Sequence, residues 1–286
     1  MSTDPRMTGA DSSWVGGVST RMLVGVALAL LVVIALVFGS NLLKSRETPE
    51  QQAHRLTKTY GIRIEFGDPS AFYTPPYGPQ DAAGPGFEPE PAVPELAGVA
   101  MQGIEAALEK YPPGFVDKLI DAVFICGKLR MDGALAGGSA GPAWIVVSAP
   151  DDLTRKHVRT LAEFTLHHEL SSHVLRKDPG TMVRWSAFSP SDAAFVKNVR
   201  ETLARDGLAA PDPNTGFLTS YGATNPENDF NTYAEKVFAD AETLKSMARS
   251  EDLIKRKLRF VLDTYEHIDG RLRDYFVDSG LENVSR

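Results

Sequence analysis

The sequence predicts an α+β fold with a small β-sheet and a mainly helical remainder, preceded by one transmembrane helix. Three observations carry that expectation. Residues 62–66, 119–125 and 143–148 are short apolar runs with the alternation or β-branched content of strands. Longer stretches repeat apolar residues every third or fourth position, which lines up one face of a helix. Ahead of both, residues 22–38 run without a charge between Arg21 and Lys44, in an uncharged interval long enough to span a bilayer.

Composition sets the outer limits. With 286 residues, 43% of them hydrophobic, the chain can bury one good-sized core and carry an appendage. Its net charge of −7 argues against nucleic acid as a partner, because phosphate recognition favours a basic face. Cys126 is the only cysteine, so there is no disulfide framework and no cysteine-ligated zinc. Any metal would be held by histidine and carboxylate.

Taken in order, residues 1–20 are polar, small and Gly/Ser-rich and predict a disordered tail. Residues 21–41 follow as the transmembrane helix. A cleaved signal peptide is the rival reading, with Val37-Phe38-Gly39 as a passable cleavage site. The apolar run exceeds the usual signal core of about 7–15 residues, however, and a polar tail precedes it, which favours an uncleaved anchor. Arg6 and Arg21 balance Lys44 and Arg46, so flanking charge does not orient the span. A short tail before a long domain is the layout of a signal anchor, which puts the domain outside the cytoplasm.

The domain is expected over 48–280. A polar helix fits 48–60 and a strand 62–66. Residues 68–95 are dense in proline, which fixes φ and removes amide donors, so they read as an extended loop. Its aromatic residues Phe72, Tyr73, Tyr77 and Phe87 either pack that loop onto the domain or form a cleft wall. Helical spacing returns over 93–111, strands follow at 119–125 and 143–148, and the Gly-rich 127–141 between them suits a hairpin or bulged crossing. Further helices are expected over 151–175, 193–205, 227–238 and 251–276. In the last, Ile254, Leu258, Val261, Tyr265, Ile268, Leu272 and Tyr275 form one stripe, and Lys255, Arg256 and Lys257 read as its solvated side.

The chemistry concentrates in Thr165-Leu-His-His-Glu-Leu-Ser-Ser-His-Val-Leu175, which holds half of the six histidines. In a His-Glu-x-x-His helix, positions i and i+4 return to one face, so both imidazoles reach one Zn²⁺ while the glutamate acts as general base. His168-Glu169 supplies the first half, but the second position is Ser172. His173 comes one residue later, about 140° from His168 on a straight helix. Three arrangements keep a metal possible in principle. Glu169 and His173 chelate as an i,i+4 pair with His167 or His168 helping; a π-bulge swings His173 into line; or His168 binds with ligands from elsewhere. Against all three stands the reading of His167, His168 and His173 as partly buried structural histidines.

The order strand, Gly-rich turn, strand, His-Glu helix, acidic helix resembles the zincin metallopeptidases. It is most similar to bacterial zinc-binding metallopeptidase sequences of that type, with lethal-factor-type domains more distant. The resemblance covers residues 62–240 and rests on Leu166-His-His-Glu-Leu-Ser-Ser172 and Ser220-Tyr-Gly-Ala-Thr-Asn-Pro-Glu-Asn-Asp-Phe230. It implies a zincin-like fold, a Zn²⁺ cofactor and a peptide or protein substrate. By that resemblance Tyr221 steadies the oxyanion and Glu169 is the base, with His168 as metal ligand. The acidic ligand would align with Asn228, a poor donor, so Glu227 or Asp229 takes its place, with His173 or water completing the sphere. Both acids also suit the N-terminus of a helix, where its dipole favours them. Three readings follow: a membrane-anchored zinc peptidase, a zincin-like fold that has lost its metal and binds a peptide or protein partner at the cell envelope, and an unrelated α+β envelope protein.

Overall fold

The computed structural model describes residues 47–73, 86–188 and 213–286. The disordered tail expected at 1–20, the transmembrane helix expected at 21–41, Tyr77 and the helix expected over 193–205 lie outside the described residues. Among the described residues, no helix is long and apolar enough to cross a membrane. Residues Thr48 to Arg286 form one compact unit.

The unit is α+β, with two small sheets and a mostly helical remainder. Helix α1 (Pro49–Tyr60) opens with a capping box, in which Thr48 and Gln51 satisfy each other's backbone amides, and ends on Gly61 at φ 72°. Strand β1 (Arg63–Phe66) and the short α2 (Pro69–Phe72) follow, then β2 (Phe87–Pro89) and α3 (Pro94–Leu108). Next come β3 (Ala122–Cys126), β4 (Leu129–Met131), β5 (Ala134–Ala136), β6 (Gly138–Ala140) and β7 (Trp144–Ser148).

The main sheet has the order β1-β3-β7-β6. Its first three strands are parallel and β6 is an antiparallel edge. β3 and β7 are buried along their whole length, as expected for parallel strands covered on both faces. Alternation splits them between two apolar clusters: Val123, Ile125, Ile145 and Val147 face the helices, while Phe124, Trp144 and Val146 face Phe72 and Tyr73. The described aromatics of the Pro-rich segment are thus packing groups, stacked on the back of the sheet. The Gly-rich connection resolves into the β4–β5 hairpin, turned by Asp132 (φ 49°) and Gly133 (φ 78°), and then the edge strand. The hairpin joins β2 in a second, antiparallel sheet, β2-β4-β5.

The helical layer begins with α4 (Arg155–Lys177), capped by Thr154, whose hydroxyl accepts from the His157 amide at 3.3 Å. α5 (Gly180–Ser186), α6 (Pro226–Ala239) and α7 (Ala241–Ser250) follow. α8 (Asp252–Ile268), α9 (Leu272–Asp278) and α10 (Leu281–Ser285) complete the chain. The single helix expected over 251–276 is therefore two. Asp269 accepts from the Arg271 amide at 3.1 Å and from its side-chain Nε at 2.9 Å, which turns the chain at Gly270. Leu272 and Tyr275 keep the apolar stripe in register across that break, which is why the sequence reads as continuous.

Lys257 also departs from expectation. It lies fully buried, its ammonium 2.7 Å from Asp229, which is equally buried, and 3.0 Å from the Gly216 carbonyl. The rings of Phe217, Trp185 and Tyr233 surround it at 4.7, 5.1 and 5.6 Å. Burial pushes Asp229 up to about 6 even against this ammonium, and it pulls Lys257 down. Desolvation therefore exceeds the attraction within the pair, so the pair specifies position more than it stabilises. Asp229→Ala, which strands the ammonium, should cost about 3–5 kcal/mol in urea unfolding. The double variant Asp229→Asn with Lys257→Met should cost less than Asp229→Ala alone, and the reverse ranking would contradict this account.

Candidate functional site on the α4–α6 face

Helix α4 is clamped on several sides. α3 approaches it so closely that a Cβ at Gly103 would lie 2.1 Å from the Arg159 carbonyl oxygen, and one at Gly138 of β6 would lie 2.3 Å from Thr165 Cγ2. Residues 165–168 and 170–175 of α4 are all buried as a result. Polar side chains in such a setting need internal partners.

Each histidine finds a different one. His167 lies with Nδ1 2.7 Å from the Tyr111 hydroxyl and stacks on Phe238 at 5.3 Å. Burial, with Lys110 nearby, holds its pKa well below the usual value, so it is a neutral core residue. His173 lies on the sheet side, hydrogen-bonded to the Trp144 backbone, and burial and Arg176 lower it to about 4. α4 is α-helical throughout, without a π turn, so the bulge that would bring His173 round to His168 does not form. His173 is consequently placed away from the residues that surround His168.

His168 points to α6. Its Nδ1–H donates a very short hydrogen bond to Glu235, and Tyr221 stacks on its ring at 5.5 Å. Burial opposes charge on this imidazole, but the Glu235 carboxylate outweighs it. Helped by Glu169 and a hydrogen bond with Asn228, it raises the pKa to about 9. Glu169 is half-buried beside β6. Burial raises it to about 7, with His168 pulling down and Glu227 and Glu235 pushing up. Burial, Glu169 and Glu235 likewise raise the Tyr221 phenol. Glu227 is exposed at the start of α6.

The loop bearing Tyr221 is tied down locally. Thr219 Oγ1 accepts from the Gly222 amide at 2.9 Å, and the Thr224 hydroxyl donates to the Tyr221 carbonyl at 2.6 Å. Asn225 caps α6 by accepting from the Asn228 amide at 2.8 Å, and Asn228 Nδ2 donates back to Thr224 Oγ1 at 2.8 Å. Asn228 thus serves the loop as well as His168.

Position 172, where a second histidine of a zinc helix would stand, is occupied by a closed network. Ser171 Oγ donates to Asn231 Oδ1, and Asn231 Nδ2 donates to Ser172 Oγ at 2.8 Å. His168, Glu169, Tyr221 and Glu227 share one electrostatic neighbourhood. Asp229 does not join them, because it is turned into the core onto Lys257. Glu235 and Asn231 are central and were not singled out from sequence. The signal available was their spacing: Asn228, Asn231 and Glu235 recur at i, i+3 and i+7, on one face of α6.

No family model matches the chain, and no curated protein matches it. Among solved structures, a Bacteroides caccae protein named "putative zinc-binding metallo-peptidase" is similar over 83% of this chain and 94% of its own, with 16% identity and a TM-score of 0.46.

The donors present do not fit the zinc set that the resemblance implies. Among the described residues, no three His, Cys, Asp or Glu side chains are grouped to hold a metal ion. Ser172, at the second ligand position, offers no imidazole and its hydroxyl is engaged by Asn231.

The sign of the pH dependence follows from the raised groups. His168, moved from 6.5 to about 9, contributes stability that is complete below pH 6.5 and lost as pH rises through 9. Glu169, raised from 4.5 to about 7, acts in the same direction over pH 4.5–7. The urea midpoint should therefore fall between pH 6.5 and 9. In Glu235→Gln, an NMR titration of the His168 imidazole should drop by more than about one unit, each unit being roughly 1.4 kcal/mol. An unchanged His168 titration in that variant would show that Glu235 does not set it.

Proposed function

We propose that this chain is a zincin-like domain, anchored to a membrane through residues 21–41 with the domain outside the cytoplasm, that binds an extended peptide or protein partner and needs no metal ion to do so. The observation that carries this reading is Ser172 at the second ligand position, closed by the amide of Asn231. A zinc peptidase needs an imidazole there beside that of His168. Here the position is held by a serine already engaged with α6.

Support for the zincin-like part comes from the order of elements: β3, the Gly-rich turn, β7, α4 with His168-Glu169, the Tyr221 loop and α6. Support for peptide binding comes from β6, a short antiparallel edge strand running beside Glu169. The anchor rests on the uncharged run at 22–38, and the placement of the domain outside on a short tail preceding a long domain.

Selection of a displayed random peptide library on the full-length protein in detergent, with a chelator present, tests the proposal. Peptides that enrich should bind equally well with and without the chelator, and Tyr221→Ala should weaken them about tenfold, close to 1.4 kcal/mol. Zinc-dependent hydrolysis of casein that disappears in Glu169→Gln would overturn the reading in favour of a peptidase.

A further inference from the structure

Helix α8 has two faces. One, through Leu258, Val261, Leu262 and Tyr265, is buried in the core. On the other, Phe260, Asp263, Thr264, His267 and Ile268 recur at i, i+3, i+4, i+7 and i+8 and line a cavity of about 230 Å³. Thr181 and Arg184 of α5 supply another wall, and Val174 of α4 joins them with Asp178 just beyond that helix. The cavity is separate from the α4–α6 face. Val174 is six residues beyond His168, about 120° round the helix and about 9 Å further along it.

The polar lining divides by sign. On the α5 side, Arg184 Nη2 donates to Asp178 at 2.6 Å and to Thr181 Oγ1 at 3.0 Å. Asp178 also accepts from the Thr181 hydroxyl and the Gly180 amide, each at 3.0 Å, and the Arg184 contact leads in holding its pKa below the ordinary value. Asp178 is thus satisfied locally, while the guanidinium is fixed through one nitrogen and has Nη1 and Nε to offer. On the α8 side, Asp263 Oδ1 accepts from Arg259, which also turns to Glu282 at 2.9 Å, and Oδ2 is left for the cavity. That wall includes the last turn of α8, whose partial negative charge favours a cation beside it. Between the two walls the lining is apolar: Val174, Phe260 and Ile268.

We propose that the cavity between α5 and α8 binds one free amino acid with an apolar side chain, its carboxylate on Arg184, its ammonium on Asp263 and its side chain against Phe260 and Val174. A simple anion would face Asp263 unmatched and a simple cation would face Arg184, whereas a zwitterion meets both walls. Size points the same way, because drug-sized ligands fill roughly 300–1,000 Å³ and this space is smaller. The inference goes beyond the proposed function and shares no residue with the Tyr221 face. The side chains of Arg184 and Asp263 are 56% and 52% exposed, so water weakens both contacts and the expected Kd is on the order of 1 mM.

The test is made on the wild-type chain. Trp185 is fully buried and 5.7 Å from Phe260, so its indole reports on the cavity, while Trp144 lies in the other apolar cluster. Full-length protein labelled with ¹⁵N-tryptophan, in detergent, would be titrated with L-leucine and followed by NMR. The Trp185 signal should shift saturably with a midpoint on the order of 1 mM, and the Trp144 signal should stay in place. N-acetyl-leucine lacks the ammonium, leucinamide lacks the carboxylate, and the dipeptide Gly-Leu separates the charges. Each should bind at least about tenfold more weakly than L-leucine, and D-leucine should also be weaker.

Absence of a saturable shift at about 20 mM L-leucine, well above that midpoint, would overturn the proposal. Equal shifts with all five compounds would do the same, since they would mark an apolar crevice without charge recognition. Gly-Leu binding as tightly as L-leucine would assign the cavity to a peptide end and overturn the free amino acid as its ligand. Variants then locate the contacts. Arg184→Gln should abolish the preference for leucine over leucinamide, and Asp263→Asn the preference over N-acetyl-leucine. Tyr221→Ala should leave leucine binding unchanged; its loss there would place the ligand on the α4–α6 face and contradict the assignment.

Discussion

The constraint on which this structure depends is that the middle of α4 is covered on every side except at the half-buried Glu169. A helix with one wet face can leave its polar residues to water, but α4 cannot. It is covered by α3 at Gly103, by the sheet at Gly138 and by α6. An unpaired buried donor or acceptor costs about 1–3 kcal/mol, so a buried His-His-Glu…Ser-Ser-His stretch is affordable only if neighbouring elements meet it with matching groups. The matches are specific: Tyr111 for His167, Glu235 for His168, Asn231 for the two serines, the Trp144 backbone for His173. The sequence of α6, with amide and carboxylate on one face, is thus dictated by the sequence of α4.

That reciprocity explains why some features can be read from the chain and others cannot. The helices α1, α3, α4 and α6 and strands β1, β3 and β7 announce themselves through period and caps, because those signals are local. His168 and Glu169 were legible for the same reason. Glu235 was not. The acids that draw the eye on α6 are Glu227 and Asp229, which a helix dipole alone accounts for, while Glu235 sits two turns on among ordinary helix residues. Its importance depends on which face α6 turns to α4, and nothing local encodes that.

Lys257 makes the same point from the opposite side. Within Lys255-Arg256-Lys257 it looks like one of three solvated cations, yet its two neighbours are not fully buried and it is. Helical phase places position 257 next to Leu258 and Val261, at the margin of the apolar stripe. What drags it inside is Asp229, 28 residues away, together with the aromatic side chains around it. The tie to Gly216 also fixes the start of the segment that carries Tyr221, since Tyr233 donates to the same carbonyl at 2.9 Å. A buried ion pair of small net worth can thus set where a residue some distance along the loop ends up. The β4–β5 hairpin was half legible: Asp132-Gly133 is a strong turn signal, but strands of three residues are too short to show alternation.

Charge balance completes the picture of the site. A divalent metal surrounded by Glu169, Glu227 and Glu235 would neutralise two of the three carboxylates. An imidazolium at His168 carries a single charge, and most of it is committed to Glu235 by direct contact. The remaining negative charge must be spread or shed, and the half-buried Glu169 is the group that sheds it, its pKa raised to about 7 by burial and by the neighbouring acids. Its protonated form is therefore far more populated near neutral pH than that of an ordinary glutamate. A carboxyl in that state can donate a hydrogen bond to a carbonyl as readily as accept one from an amide. That is a useful property beside an edge strand, where an added backbone offers both.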